Sequence, residues 1–239
     1  DSIRTIADAK RIADCWRYAS GQPSTGGDDF FPGTAAQQLA DYLFAAHLGG
    51  RTVADVFRWA SSERNTEPVT ILSQHEGYGE IASRVSSVIA LTPETRSGVF
   101  GSLQTMVAFL ADPDVIEWIL PREGDGTPEG RAVFDPLAFA ASEGDTLYLL
   151  SAQGRPSTAL TASLTAVVAF TAFHYAQSEC VDNDRRLPRP MCCVLDEAAN
   201  ICRWPELADV YSYFGSAGIP IMTIWQNPDQ GKAAFGETN

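Results

Sequence analysis

The chain has 239 residues, 17 Lys plus Arg against 30 Asp plus Glu, and a formal net charge of −13. This length accommodates one large domain or two ordinary ones, and 45% apolar with 20% charged residues excludes a disordered or collagen-like chain. Only two of the 17 cations are Lys, Lys10 and Lys232, and the acidic balance argues against a surface that coats nucleic acid, which needs clustered cations to displace counterions.

From residue 2 to 19, Ile3, Ile6, Ala9, Ala13 and Trp16 recur at helical spacing, and Gly21, Pro23, Gly26 and Gly27 end the pattern. The stretch to about residue 130 reads as helices only. Residues 35–48 place Ala36, Leu39, Leu43 and Ala46 on one face, with Gly49-Gly50 as the stop. Thr52 and Asp55 form a capping-box pattern in front of Val53, Val56, Phe57 and Trp59. A helix over 80–90 follows, and Thr92-Pro93 opens the next, since proline is tolerated where the amide has no partner anyway. Asp112-Pro113 repeats that device before residues 115–120, and 121–131, rich in Gly, Pro and charge, mark the exit from the helical part.

The period then changes. Asp135-Pro136 opens a short helix through Phe139, residues 146–150 form a compact apolar strand, and 156–178 a long helix. A charged loop with Arg185, Arg186 and Arg189 leads to a second apolar strand over 191–195, a helix over 205–214 and a third strand over 219–225. Apolar strands separated by helices indicate a parallel sheet covered on both sides. Residues 159–176 are nearly free of charge, but Thr161, Ser163, Thr165, Thr171 and His174 favour a buried helix over a membrane span of about 20 apolar residues.

Five cysteines, Cys15, Cys180, Cys192, Cys193 and Cys202, show neither a disulfide framework nor zinc spacing. Their use fits a reduced, cytosolic setting. Cys192 and Cys193 read as small hydrophobes. His47, His75 and His174 do not form a metal set, and His174 on an apolar helix is expected to be a hydrogen-bonded core histidine. Phe30, Phe31, Trp59 and Trp118 are expected to fill the helical core, with an exposed Phe30-Phe31 edge as a partner site the alternative. The chain starts at Asp1 without Met or a signal-like segment, so part of a longer protein is expected.

The chemistry concentrates after the second strand, where Asp196 and Glu197 stand at its carboxyl end. That edge of an open α/β sheet is where ligands bind. An Asp-Glu pair there suits nucleotide hydrolysis, one carboxylate holding Mg²⁺ through water and the other orienting and deprotonating the attacking water. A solvated turn or a helix cap is the structural alternative for such a pair.

The run Val194-Leu195-Asp196-Glu197-Ala198-Ala199-Asn200-Ile201, then Trp204-Pro205-Glu206-Leu207, then 211–219 and Ile221-Met222-Thr223-Ile224-Trp225-Gln226 resembles the TraD/TraG-like coupling ATPases of conjugation and type IV secretion. Upstream, Phe30-Phe31, 35–46, 50–59, Phe134-Asp135-Pro136 and 146–150 resemble the all-α domain of that family and its return to the motor. The resemblance implies an α/β fold: a leading helix and linker over 1–25, an all-α domain over 26–132, and the C-terminal part of a RecA-like P-loop NTPase domain over 133–239. It implies Asp196 as the Mg-ATP carboxylate and metal ligand, Glu197 as the catalytic base and Gln226 as the γ-phosphate sensor. Gln226 as a strand-end amide capping Asn227-Pro228 is the other reading.

Two departures bear on this. No G-x-x-x-x-G-K-[ST] occurs, Gly231-Lys232 lacking both the earlier Gly and the following Ser or Thr, so the phosphate cradle is expected before residue 1 and the 239 residues alone are expected to be inactive. Where the family commonly carries an arginine, the chain has Gly215-Ser216-Ala217-Gly218, which supplies no cation. The implied whole protein binds ATP and Mg²⁺, forms a hexamer at the inner membrane, meets DNA only as that ring, and touches secretion-channel components, while the 239 residues are expected to be a cytoplasmic monomer. Residues 28–131 hold 15 acidic residues against seven Arg, a balance of −8. That surface suits basic cargo such as a relaxase or accessory protein, and a non-catalytic docking module is the alternative function. A DNA-translocating motor of another P-loop type ranks third.

Overall fold

The computed structural model describes residues 3–21, 30–127, 130–142, 144–150, 155–198, 206–227, 229 and 232. The linker over 22–29, Cys202, Trp204-Pro205 and Gly231 lie outside these residues. The described part is predominantly helical, with one two-stranded parallel sheet, and is compatible with a mixed α/β class. It divides into two units, Asp1–Arg122 and Glu123–Asn239, a division that falls ahead of the expected 132/133 boundary.

In the first unit, α1 (Ile6–Ala19), α3 (Val53–Ala60), α4 (Glu67–Ser73), α5 (Gly79–Ile89) and α6 (Pro93–Val107) surround α2 (Phe30–Leu48). The centre falls to α2 because it is buried around most of its circumference: Ala35, Ala36, Leu39, Ala40, Leu43, Phe44, Ala45 and Ala46 are all buried, and so are the polar Gln38 and Asp41. Its alanines let neighbouring helices approach closely. Ring edges complete the core, Tyr42 against Trp59 at 5.8 Å and Trp16 against Phe109 at 4.9 Å. The leading helix α1, expected to go with the motor part, packs instead on α2.

Local chemistry sets the helix starts. At α1, Asp8 accepts from the Thr5 amide at 2.9 Å while Thr5 Oγ1 accepts from the Asp8 amide at 3.2 Å. At α3, the Asp55 carboxylate accepts from the Thr52 amide at 2.9 Å, as the sequence pattern predicts. At α6, Pro93 takes the first turn, but the Thr92 hydroxyl turns to the Thr95 hydroxyl at 3.0 Å and caps no amide. A short 3-10 turn, Ala108–Ala111, then leads to α7 (Pro113–Ile119), where Asp112 accepts from the Asp114 amide at 3.0 Å.

Two features of this unit escape the periodicity. Helix α4 is too short to show a repeat, and it is held by Glu67, which accepts from Trp59 Nε1, Arg51 Nε and Arg58 at 2.9 Å each. The Trp59 indole and the two guanidinium groups hold the Glu67 carboxyl below its usual range. Arg96, nearly buried, donates to the carbonyls of Ile89 and Leu91 at 3.1 and 2.9 Å and so closes the C-terminus of α5, while its Nε reaches Glu63 at 3.1 Å.

Of the aromatics expected in the core, only Trp59 is fully buried. Trp118 is 80% exposed on α7, which has no buried residue, and Phe30 and Phe31 are exposed at the start of α2. A helix of seven residues has too few turns to bury a full stripe.

In the second unit, Asp135 caps α8 (Pro136–Ala141), accepting from the Leu137 amide at 2.8 Å. The long helix α9 (Arg155–Glu179) follows, then a 3-10 turn (Val181–Asn183), β1 (Cys193–Leu195), α10 (Leu207–Ser216) and β2 (Ile221–Thr223). The stretch Thr158–Glu179 is long and apolar enough to cross a membrane by length and composition. It packs as a core helix, Phe170 and Phe173 each lying 5.1 Å from the buried Phe214 ring of α10. His174, expected in the core, is exposed and lies against the Phe170 and Phe173 rings.

Strands β1 and β2 pair in parallel, Cys193 opposite Ile221 and Leu195 opposite Thr223. Two expectations differ here. Residues 146–150 form no strand, Tyr148 being 80% and Leu150 93% exposed, and among the described residues the sheet is covered on one face only, Val194 and Met222 each being 57% exposed. The physical reason for the second is that α9 and α10 touch each other, and so lie on the same side.

Candidate functional site at the carboxyl edge of the sheet

The backbone ladder between the strands runs from the Cys193 amide on the Pro220 carbonyl at 2.9 Å to the Ile224 amide on the Leu195 carbonyl at 2.9 Å. One bond further, the Ala198 amide donates to the Ile224 carbonyl at 3.2 Å. That last bond folds the chain back directly after Leu195, and Glu197 makes the turn with φ +48°. This left-handed conformation is uncommon for a residue with a long side chain and costs on the order of 1 kcal/mol.

The turn leaves Asp196 exposed beyond the strand end and swings Glu197, half-buried, towards the end of β2. There Gln226 Nε2 donates to Glu197 Oε1 at 2.9 Å. Two residues 29 positions apart, both singled out from sequence, are thus brought into direct contact. Asp196 stands beside this pair, so all three candidate residues share one edge. On the covered face, Tyr211 of α10 joins Thr223 through their hydroxyls at 2.8 Å, tying the helix to the end of β2.

The same edge depends on the turn between α10 and β2. The Ile219 amide donates to the Phe214 carbonyl at 2.8 Å, and Gly218 takes φ +84° as a left-handed helix cap. A Cβ at Gly218 would lie 3.3 Å from the Leu187 backbone nitrogen and 3.2 Å from Arg186 Cγ. Gly218→Ala is therefore expected to cost about 1–2 kcal/mol, strain and crowding adding. Chemical denaturation of the second unit measures this, and an unchanged midpoint is the contrary result.

Sequence reasoning missed Arg186. Its guanidinium donates to the Gly215 and Ser216 carbonyls at 3.1 Å each, against the negative end of α10. The turn over 215–218, which lacks an arginine of its own, receives a cation from a loop some thirty positions earlier. No sequence signal could have disclosed a pairing made only by tertiary folding.

Residues 190–239 match the TraG-D_C family model, described as the TraM recognition site of TraD and TraG. This stretch of the chain is similar to that family. The match supports a conjugation coupling protein family and a recognition role in conjugative transfer. No curated protein and no solved structure matches the chain. The matched stretch contains β1, α10, β2, Asp196, Glu197 and Gln226, and so the whole described edge lies within it.

Proposed function

We propose that the chain is part of a coupling ATPase of conjugative transfer and type IV secretion, its second unit carrying the acidic half of an ATP site and its first unit docking cargo. The observation that carries this reading is the Gln226–Glu197 hydrogen bond of 2.9 Å at the carboxyl edge of two parallel strands, inside the stretch similar to TraD and TraG. Glu197 is the base for the attacking water, and Gln226 is the group that both senses the γ-phosphate and holds Glu197 at rest.

The donor set fits Mg²⁺ as such sites hold it. Among the described residues no group of three or more His, Cys, Asp or Glu could cage an ion, and Mg²⁺ is usually bound through one or two carboxylates, waters and substrate phosphates. Asp196, an exposed hard oxygen donor at the edge, would hold it, and the ion would neutralise charge on the phosphates. The phosphate cradle comes from a P-loop outside residues 1–239, in a protein anchored at the inner membrane and assembled as a hexameric ring that handles DNA and meets the secretion channel. ATP turnover by the protein carrying that P-loop, with and without Glu197→Gln, tests the motor reading.

The partner of the helical unit is a basic relaxosome protein, a relaxase or accessory factor, drawn by the acidic balance of that unit, 15 Asp plus Glu against 10 Lys plus Arg over residues 1–122. Its binding to the chain is expected to weaken about tenfold or more as salt rises from about 0.05 to about 0.5 M. Titration calorimetry at both salts reads this, and salt-independent binding, or tight DNA binding by the same unit, counts against it. The description of the matched family as a recognition site favours, as a second reading, a docking role without catalysis. Loss of turnover in Glu197→Gln with docking retained separates the two.

A further inference from the structure

We propose that Gln38 and Tyr42 form an internal binding site for one water molecule at the centre of the helical unit, the water bridging the Gln38 amide and the Tyr42 hydroxyl. Both residues lie on α2, four positions apart and therefore one above the other on a single face. Gln38 is 1% and Tyr42 0% exposed. Among the described residues none of Gln38 Oε1, Gln38 Nε2 and Tyr42 Oη has a hydrogen-bond partner. Buried polar groups find a partner in protein or in ordered water, because one left alone gives up its hydration and gains nothing in return.

The neighbouring protein groups are committed elsewhere. Asp41, on the adjoining row of α2, accepts twice from Arg84 and once from Gln37. The Trp59 indole, whose ring meets the Tyr42 ring edge-on, donates to Glu67 at 2.9 Å. Burial pushes the Tyr42 hydroxyl up to about 12, against the pull of the nearby Gln38 amide. The two groups are thus neighbours without being bonded, which is the spacing a bridging water serves. At neutral pH the hydroxyl keeps its proton, so it both donates and accepts.

The chemistry of the pair selects the occupant. An amide oxygen, an amide nitrogen and a neutral hydroxyl offer donors and acceptors together and no net charge. A cation needs a carboxylate, and Asp41 is closed by Arg84; an anion needs a positive group, and the Arg84 guanidinium is held by Asp41. A neutral molecule that donates, accepts and fits between two side chains one helical turn apart is water.

The site has a consequence for the packing of the unit. Five of the buried residues of α2 are alanines, whose small side chains fix its rotation only loosely. A satisfied polar pair fixes it firmly, since any other rotation strands both groups.

A crystal structure of the whole chain and oxygen-17 relaxation dispersion of water test this. The expected result is an ordered water within about 2.6–3.2 Å of both the Gln38 amide and Tyr42 Oη, and one long-lived internal water fewer in Gln38→Met/Tyr42→Phe than in the unaltered chain. An equal number of long-lived waters overturns the proposal, and so does a direct bond between the two side chains with no water between them. In urea titrations the double variant should raise the unfolding constant about tenfold less than the product of the two single effects, because either change alone strands the other group; independent effects count against the site. If the double variant does not fold, the crystal structure of the unaltered chain decides: a water bridging the pair supports the site and its absence rejects it.

Discussion

Arg84→Ala is expected to destabilise the helical unit by about 3 kcal/mol at neutral pH. Asp41 lies on the central helix with no exposed surface, and Arg84 of α5 holds it through two bonds, Nε to Oδ2 at 2.8 Å and an amino nitrogen to Oδ1 at 2.6 Å. Gln37 adds a third at 3.1 Å. Removing the guanidinium leaves a buried carboxylate with one neutral donor, which costs far more than the intact pair contributes. The figure sits at the low end for such a loss because the Arg84 side chain is 42% exposed and water can enter its place.

The pH dependence has a definite sign. Burial pushes the Asp41 carboxyl above its ordinary value of 3.8, against the pull of Arg84 and Gln37. Between the ordinary and the raised value the native state binds more protons than the unfolded chain, so this group lowers stability as pH rises through that window. Without Arg84 the opposing pull disappears and the window extends upward. The deficit of the variant should therefore be smaller at about pH 5 than at about pH 8. Urea titrations of both proteins at both pH values measure it, and a deficit that grows on acidification refutes the assignment. Pairing the change with Asp41→Leu, as Arg84→Met/Asp41→Leu, should recover most of the loss, because an apolar pair needs no partner.

On the proposed reading of the chain as part of a coupling ATPase, Glu197→Gln is expected to lower ATP turnover of the protein carrying the P-loop by about 10²–10³-fold, through kcat and not through nucleotide affinity. The substitution keeps the shape of the side chain, and its carbonyl oxygen can still accept from Gln226 Nε2, which lies 2.9 Å from Glu197 Oε1. The turn at φ +48° and the ladder bond from Ala198 to Ile224 involve only backbone, so the fold is retained. What is lost is a group able to take a proton from water. Steady-state turnover beside a nucleotide-binding titration separates the two effects. Undiminished kcat would remove Glu197 from the role of base and leave the docking function.

The positions of Asp196, Glu197 and Gln226 were legible because both strands are short apolar runs that stop abruptly, and ligands collect where parallel strands end. Their mutual contact was not legible in the residues themselves, since it depends on a left-handed turn at a residue that gives no local signal for one. Trp118 and His174 show the reverse failure. Each sits in an apolar run that reads as core, yet which side of a helix is covered depends on elements elsewhere in the chain.

By itself the sequence determined the helices of more than two turns, several of their caps, the change from a helical to a mixed part, and the acidic edge. These are local: periodicity, capping side chains and strand ends act within about one to three turns of chain. Only the tertiary structure decided that α2 is central, that Asp41 is closed by Arg84 43 positions away, that Arg186 serves the end of α10, and that among the described residues Val194 and Met222 on one face of the sheet are exposed. Those features arise from burial and hydrogen bonding between distant segments, where the free energy of a residue is set by what folds over it and not by its neighbours in sequence.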